Sequence, residues 1–551
     1  MVSSKAVSWK VRTRIGVRSG VQGTVLFVVI MLGLFLCAVP PAFAAGGTCP
    51  SGNNTIDPQG NPISISNVGI TGTITGSITG CYYISKATGS DSNTGTDEAH
   101  PWAHLPGMPS CTGTCNSHNP AAGEGFILRG GDTWTSGDLG ITWLWNGTSN
   151  HPIYVGVDQS WFNAGCGASW CRPIFNATGL SADIFNLING TWIIIDNIEI
   201  KGMTNADNGC RMESGTNERC TQLYFHAWTH AAIGSNNVGF FSQCGPGSMI
   251  DHNVMDGSDS SKNTMNGVFS SCAGTIQYNY FNYVVSGILA SIDNVNNNIV
   301  ENSVDSADGD HCNGIFTFAP ASGSTTYVYN NITRKMICSG GVNFWLNGNN
   351  GGSCSKCTAY AYNNIIDASA ASGNVFNIGD HPSAQQGTYY VYNNTVIANN
   401  GGSCMGNGEG PPRSTTNLEN NHCIGTSIVC DGTGTTCNNL GGNLSQTIAQ
   451  ANANTSPHFD QYTSSESQEY SPVVSTNSTV GAGNNLSSSC SGSVTALCDS
   501  ITYPVYNSTN HTMGVRASNA RSISAAWDIG AYLYASGSTP NPPTGLAALV
   551  Q

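Results

Sequence analysis

Seven residues hold the densest chemistry in this 551-residue sequence. The run Asp305-Ser306-Ala307-Asp308-Gly309-Asp310-His311 brings together three carboxylates and an imidazole, in a chain where charged residues are only 9%. Asp256 and Lys262 precede it, and Arg334-Lys335 follows. Oxygens of Asp256, Asp305 and Asp308 suit Ca²⁺, a hard cation that takes carboxylate ligands. Asp308, Asp310, His311, Arg334 and Lys335 supply the acids, bases and cations that proton transfer requires.

Three reactions use such a set. Elimination from a uronic-acid glycan needs the sugar carboxylate neutralised, by Ca²⁺ or Arg, and a base for the C5 proton. Glycoside hydrolysis needs two carboxyl groups, ~5 Å apart for retention or ~6.5–9.5 Å for inversion. Epimerisation reuses the machinery of elimination. The competing structural reading is that Asp-Gly-Asp is turn chemistry. In that reading Asp305 with Arg334 is an ion pair worth ~0–1 kcal/mol. His226 and His230 stand four apart but lack the glutamate of a zinc-protease helix, so a structural role is expected.

A recurring asparagine phrase must position these residues. It appears at Asn197, Asn253, Asn279, Asn302, Asn331, Asn364, Asn394 and Asn421, each followed by β-branched or aromatic residues. The steps are 56, 26, 23, 29, 33, 30 and 27 residues. A period of ~20–50 residues marks a solenoid, whose units bury their apolar faces only by stacking. A second phrase (Asn266-Gly267-Val268-Phe269, Ser286-Gly287-Ile288-Leu289, Asn313-Gly314-Ile315-Phe316) keeps step with the first. Short β-rich runs between Gly, Asn, Ser and Asp read as strands and turns. The predicted fold is all-β: a right-handed parallel β-helix with an N-terminal cap and a decorated C-terminal end. Aligning turns on the asparagines predicts one column of Asp256, Asn282, Asp305, Arg334 and Asp367. It predicts a second of His252, Tyr278 and Glu301, which with Lys262 are expected to bind substrate. Tyr329, Tyr362 and Tyr392 are read as an aromatic stack.

Residues 1–44 read as a secretory signal, with five basic residues, an apolar Val25–Val39 core and Ala42-Phe43-Ala44 as cleavage site. Residues 45–173 form the lead-in, cap and first coils, 174–430 the solenoid, 431–536 irregular last coils and a closing segment, and 537–551 a Pro-rich tail. Removing the signal leaves 13 basic against 32 acidic residues, a balance of −19. That excludes nucleic acid, whose binding rests on Lys and Arg at phosphates. No later stretch is apolar enough to span a membrane, so an exported monomer acting on polysaccharide is expected. Of 21 cysteines, Cys37 lies in the signal and 20 remain as sequence-neighbouring pairs. Cys244/Cys272 and Cys312/Cys338 are each about one turn apart, within reach of a disulfide between rungs. Cys354-Ser355-Lys356-Cys357 has no second pair, which argues against zinc.

The lead-in contains Tyr82-Tyr83-Ile84-Ser85, Gly89-Ser90-Asp91-Ser92-Asn93-Thr94-Gly95-Thr96, Pro101-Trp102 and Arg129-Gly130-Gly131-Asp132-Thr133-Trp134. Together with Asp310-His311-Cys312-Asn313-Gly314-Ile315 and Trp527-Asp528-Ile529-Gly530-Ala531-Tyr532, it resembles secreted right-handed β-helix proteins of the pectin-lyase-like superfamily. The resemblance covers most of the chain and matches no single activity-defined family. The polygalacturonase motifs (Asn-Thr-Asp, adjacent Asp-Asp, Gly-His-Gly, Arg-Ile-Lys) are missing. It implies a carbohydrate-active protein, a polysaccharide lyase or glycoside hydrolase on an acidic or plant-like glycan. The alternative is a glycan-binding or adhesin-like solenoid without catalysis.

Overall fold

The computed structural model describes residues 78–534, with 46–49, 55–56 and 62–63, apart from the following internal stretches: 159–160, 162–170, 205–207, 230–238, 258–264, 306–311, 319–320, 322, 337–341, 349–354, 369–373, 380–385, 399–402, 408–414, 429–435, 454–470 and 473–474. The chain forms a parallel β-solenoid. Each coil lays down three short strands, and equivalent strands pair in parallel from rung to rung. Two strand sets merge into one large sheet, because strands such as Asn266–Gln277 and Ser286–Asn296 run through both. These are the first face (for example Met249–Asp251 and Thr325–Tyr329) and the third face (for example Gly239–Cys244 and Asn313–Phe318). The second face is a separate sheet of 12 strands, from Thr133–Thr135 to Leu444–Gln446.

Three-residue strands suffice on the second face because their middle side chain alone faces the core. Trp134, Phe175, Ile200, Phe225, Met255, Phe281 and Val300 line the interior from successive rungs, all buried. The flanking residues point outward and form two columns, since side chains alternate across a strand.

The corner between the first and second faces explains the asparagines. Nine successive rungs turn there on a residue with φ between 52° and 57°: Asn197, Gln222, His252, Tyr278, Asn297, Asn330, Asn363, Asn393 and Asn420. Asn tolerates this left-handed backbone better than most residues. The next residue forms the amide ladder. Asn253, Asn279, Asn298, Asn331, Asn364, Asn394 and Asn421 each donate Nδ2 to the next Oδ1, at 3.0–3.1 Å, and Asn443 ends the ladder. Each Oδ1 also accepts the preceding ladder residue's backbone N–H, as Asn364 does from Asn331 at 3.0 Å.

Two of the eight asparagines expected in the ladder fall outside it. Asn197 occupies the left-handed position one residue earlier, and Asn302 lies four residues beyond the true ladder residue, Asn298. The stretch from Asn294 to Asn302 holds five asparagines, so several phases fit by residue type alone. The sheet register selects Asn298, because Asn282 pairs with Glu301 and Glu301 with Arg334.

Cys244 and Cys272 are paired in register and joined by a disulfide, as their spacing predicts. Cys312 is disulfide-bonded as well, while Cys338 lies outside the described residues. After the last coils the chain returns over the solenoid. An antiparallel hairpin of Tyr503–Asn507 and Thr512–Arg516 turns Ile501, Tyr503, Val505 and Met513 onto the second face. They cover the outward column of Val254, Tyr280, Ile299, Ile332 and Ile365. Alternation over residues 501–505 is what one buried side of a strand requires. A further returning stretch covers stacked tyrosines: Leu486, Val494, Leu497 and Trp527 pack on Tyr362 and Tyr392.

Candidate active site on the second face

The second outward column runs Lys201, His226, Asp256, Asn282, Glu301 and Arg334 on consecutive rungs. It therefore unites three of the predicted residues: Asp256, Glu301 and Arg334. Asp305 is not in it. Glu301 takes that place because the ladder residue of this rung is Asn298. Asp305 lies past the strand, and its Oδ1 accepts the Cys312 N–H at 3.1 Å. Glu301 is correspondingly absent from the column of His252 and Tyr278, where Asn297 stands. Lys262, Asp308, Asp310 and His311 lie outside the described residues, as does His230.

Glu301 is the centre of one half of the site. It accepts from Tyr280 Oη at 2.5 Å, Arg334 Nε at 2.6 Å and Lys335 Nζ at 3.5 Å. Burial alone would raise its carboxyl, but Arg334, Tyr280 and Lys335 outweigh burial and hold it below the usual range. Arg334 is only 4% exposed, so it is a buried partner and not an open cation. Lys335 keeps 44% of its side chain exposed.

Asp256 is the centre of the other half. Its Oδ1 accepts from Asn282 at 2.8 Å, and its Oδ2 accepts from Tyr506 of the C-terminal hairpin at 2.7 Å. Tyr506 stacks on Tyr280 with ring centroids 4.0 Å apart, which joins the halves. The Tyr506 hydroxyl also meets His511 Nδ1 at 2.9 Å. His511 stacks on Tyr224 at 3.9 Å, and Tyr224 on His226 at 4.5 Å. His226 Nε2 contacts Glu199 at 2.9 Å, which gives it the structural partner expected of it. The wholly buried Arg172 donates to the carbonyls of Asn510 and His511 at 3.2 and 3.1 Å, pinning the hairpin tip.

His252 and Tyr278 lie at the adjacent corner and stack at 4.7 Å. His252 Nδ1 meets Asp251 Oδ2 at 2.7 Å, and Asp251 accepts from Arg219 Nε at 2.8 Å and Nη2 at 2.6 Å. Burial would raise Asp251, but Arg219 and His252 prevail and depress it strongly. His252 is 7% exposed, so this triplet braces the corner and offers little surface to a ligand. Tyr327, Tyr360 and Tyr390 form a half-buried stack on the first face, with centroids 5.5 and 4.7 Å apart. Rings stacked along the axis present edges outward, which makes them a poor platform for a sugar face.

Among the described residues no three His, Cys, Asp or Glu are placed to hold a metal ion. Of the expected Ca²⁺ set, Asp256 stands in the outward column with Asn282 and Tyr506 as partners, Asp305 lies past the strand with the Cys312 N–H, and Asp308 lies outside the described residues. Sequence reasoning missed Tyr506 and His511, which carry no column signal because they return from 250 residues away.

No family profile and no curated protein sequence matches the chain. Among solved structures it is similar to a GH136 lacto-N-biosidase from Eubacterium ramulus, with 13% identity over 67% of this chain and 68% of that one, TM-score 0.40. Pectate lyase Pel9A is matched at 14% identity over 85% of this chain and 100% of that one, TM-score 0.40. A rhamnogalacturonan lyase is matched at 13% identity over 66% and 86% of the two chains, TM-score 0.37. No helix among the described residues is long and apolar enough to cross a membrane.

Proposed function

We propose that this is a carbohydrate-active β-helix protein that cleaves a polysaccharide along its second face. The observation that carries the reading is the outward column from Lys201 to Arg334. It sets a charged, imidazole or amide side chain on each of six consecutive rungs. The rungs repeat every ~4.8 Å, on the scale of one sugar residue. The part-exposed Lys201, His226 and Asp256 are the members a glycan laid along the axis can meet, while Asn282, Glu301 and Arg334 are buried behind them. The neighbouring outward column is sealed by the C-terminal hairpin, which leaves the polar column along its edge.

Proton transfer is the chemistry these groups offer, through elimination, hydrolysis or epimerisation. Asp308, Asp310 and His311 are further acid–base candidates from the sequence, and Lys335 offers an exposed cation to a sugar carboxylate. No step is assigned to Ca²⁺.

The test is incubation with a panel of acidic and plant polysaccharides, reading unsaturated uronate by ultraviolet absorbance together with new reducing ends. Both signals mean lyase and reducing ends alone mean hydrolase. Binding without either would replace catalysis by a glycan-binding solenoid. On the cleaved substrate Asp308→Ala and His311→Ala are each expected to lower turnover at least ~100-fold if that loop supplies the acid–base pair. Full activity in both removes the loop from the mechanism.

A further inference from the structure

His511 sits at the tip of the C-terminal hairpin with φ of +51°. A left-handed backbone costs an L-residue about 1–2 kcal/mol, which is why Gly or Asn normally fills such places. The same left-handed backbone builds the corner between the first two faces, so here it fixes where the ring stands and does not by itself mark a function. The ring is held in place by Tyr224 stacked at 3.9 Å and by the Tyr506 hydroxyl at Nδ1, 2.9 Å away.

The protons can be counted. Tyr506 has one hydroxyl proton, and its Oη lies between Asp256 Oδ2 and His511 Nδ1. An ionised carboxylate only accepts, so the hydroxyl donates to Asp256 and accepts from Nδ1–H. The tautomer is then fixed, and the lone pair of the neutral ring lies on Nε2. Among the described residues Nε2 has no hydrogen-bond partner; every contact of this ring runs through Nδ1 or its π faces. The charged and titratable groups around it are Arg172, Tyr224, His226 and Glu199 from the solenoid, Asp256 beyond the hydroxyl, and Tyr506 of its own hairpin. Burial, and then Arg172, hold the imidazole below its ordinary range, which favours the neutral form.

The column discriminates between reactions as well. A hydrolase needs two working carboxyl groups. Asp256 and Glu301 are both committed, to Tyr506 and Asn282 and to Tyr280, Arg334 and Lys335. Elimination needs one base, with a cation to neutralise the sugar carboxylate, and no second working carboxyl group. We infer that His511 Nε2 is the base of an elimination on a 4-linked uronic-acid glycan, with Tyr506 and Asp256 as positioning residues. This rests on the carbohydrate reading above and narrows it. The C5 proton passes to Nε2, the C5–H electron pair becomes the C4=C5 double bond, and the C4–O bond breaks with its pair onto the leaving oxygen. That oxygen takes a proton from the solvent, and His511 later returns one, so the sum is cleavage without net proton change.

The experiment has two arms, both on the full chain. In the first, ¹⁵N-histidine NMR of the wild type at neutral pH is expected to show His511 with Nδ1 protonated and Nε2 bare. Tyr506→Phe, which keeps the ring stacked on Tyr280, is expected to release a mixture of tautomers. A wild-type Nε2–H tautomer overturns the inference without any substrate. In the second arm, on the glycan the wild type cleaves, His511→Gln is expected to lower kcat/KM at least ~100-fold. Tyr506→Phe is expected to shift the acid limb of the pH profile, which a merely structural role would not move. Full activity of His511→Gln, or reducing ends without unsaturated product, overturns the inference and leaves the carbohydrate reading standing. A wild type inert on every glycan overturns both.

Discussion

His104 in the lead-in and His511 at the hairpin seam are both tied to an aspartate, directly or through Tyr506, and they differ in what happens at the other ring nitrogen. In the lead-in, His104 Nδ1 contacts Asp91 Oδ2 at 2.8 Å, and Lys86 Nζ reaches Nε2 at 2.8 Å. Asp138 Oδ1 also lies 3.2 Å from Nε2, so that nitrogen has a donor and an acceptor beside it and is occupied whichever proton it carries. The same Lys86 is bound to Asp138 at 2.9 Å. At the hairpin seam, His511 is tied through Tyr506 at Nδ1, but its Nε2 is left without a partner among the described residues. The first ring has both nitrogens occupied and serves as a brace. The second retains a lone pair for a reaction. The second nitrogen separates these two rings only together with exposure, since His252 also has Nδ1 on an aspartate and Nε2 without a partner among the described residues but is buried at its corner.

Removing the anchor of the brace should have the largest effect. Asp91 accepts backbone N–H groups of Ala103, His104 and Thr112 at 3.0–3.1 Å besides the imidazole. Asp91→Ala is expected to cost about 3 kcal/mol or more in urea unfolding, because it strands several buried groups. The fraction that still folds should keep a normal pH–activity profile. An altered profile with unchanged stability would erase the distinction between the two histidines.

Next in size is Glu218, a third buried acid with no partner on either oxygen among the described residues. Burial pushes its carboxyl up to about 9 from the ordinary 4.5. Its folded-state value is the higher one, so the unfolded state loses the proton first as pH rises. Stability is lost from about pH 4.5 upward toward pH 9, and Glu218→Gln removes that loss. The variant is expected to be more stable than the wild type at pH 8, by on the order of 3 kcal/mol, and nearly equal near pH 4. Equal unfolding midpoints at both pH values would mean that the carboxyl finds a partner.

The amide ladder gives a smaller, graded effect. Asn331 donates to Asn364 Oδ1 and to the Val295 carbonyl, and accepts from Asn298. Asn331→Ala is expected to cost about 2–3 kcal/mol, since buried partners are left unsatisfied. Asn443 ends the ladder in a less buried setting, and Asn443→Ala should cost about 1 kcal/mol or less. Equal costs would show that rungs do not share the ladder's cooperativity. Smallest of all is Lys86→Met, which removes one partner of His104 Nε2 and leaves Asp138 at 3.2 Å. With the Lys86 side chain 32% exposed, the loss is expected within ~1 kcal/mol. Activity should not change, because a nitrogen that loses a partner matters only where a substrate can reach it.

The solenoid was legible in the sequence because stacking forces equivalent residues to recur. The Cys244–Cys272 register followed from one turn of spacing for the same reason. Column assignments held at Asp256, Asn282 and Arg334, where the phrase places the true ladder residue on the rung. They failed between Asn294 and Asn302, where five asparagines allow several phases and only pairing with the strands on either side selects Asn298. Asp305 was placed one column wrong through that error alone, and Glu301 is its replacement. The hairpin was invisible for a different reason. Tyr503–Asn507 and Thr512–Arg516 do not repeat anything, and their partners lie on rungs far back in the chain. Alternation at Ile501, Tyr503 and Val505 shows that the segment buries one side, without indicating what against. The closing phrase around Trp527 indicated only that the chain packs back.

The seam also has a chronology. Tyr506 is 250 residues downstream of Asp256, so a ribosome adding ~5–20 residues per second finishes the hairpin roughly 10–50 s after the rung it completes. Throughout that interval Val254, Tyr280, Ile299 and Ile332 form a bare apolar strip on a growing sheet, awaiting Ile501, Tyr503 and Val505. A nascent chain stalled at any point before residue 501 can therefore have many finished rungs and still be sticky and without the seam. The returning segment is thus the step that marks a copy as whole, and the uncovered strip is the feature by which chaperones can distinguish an unfinished one.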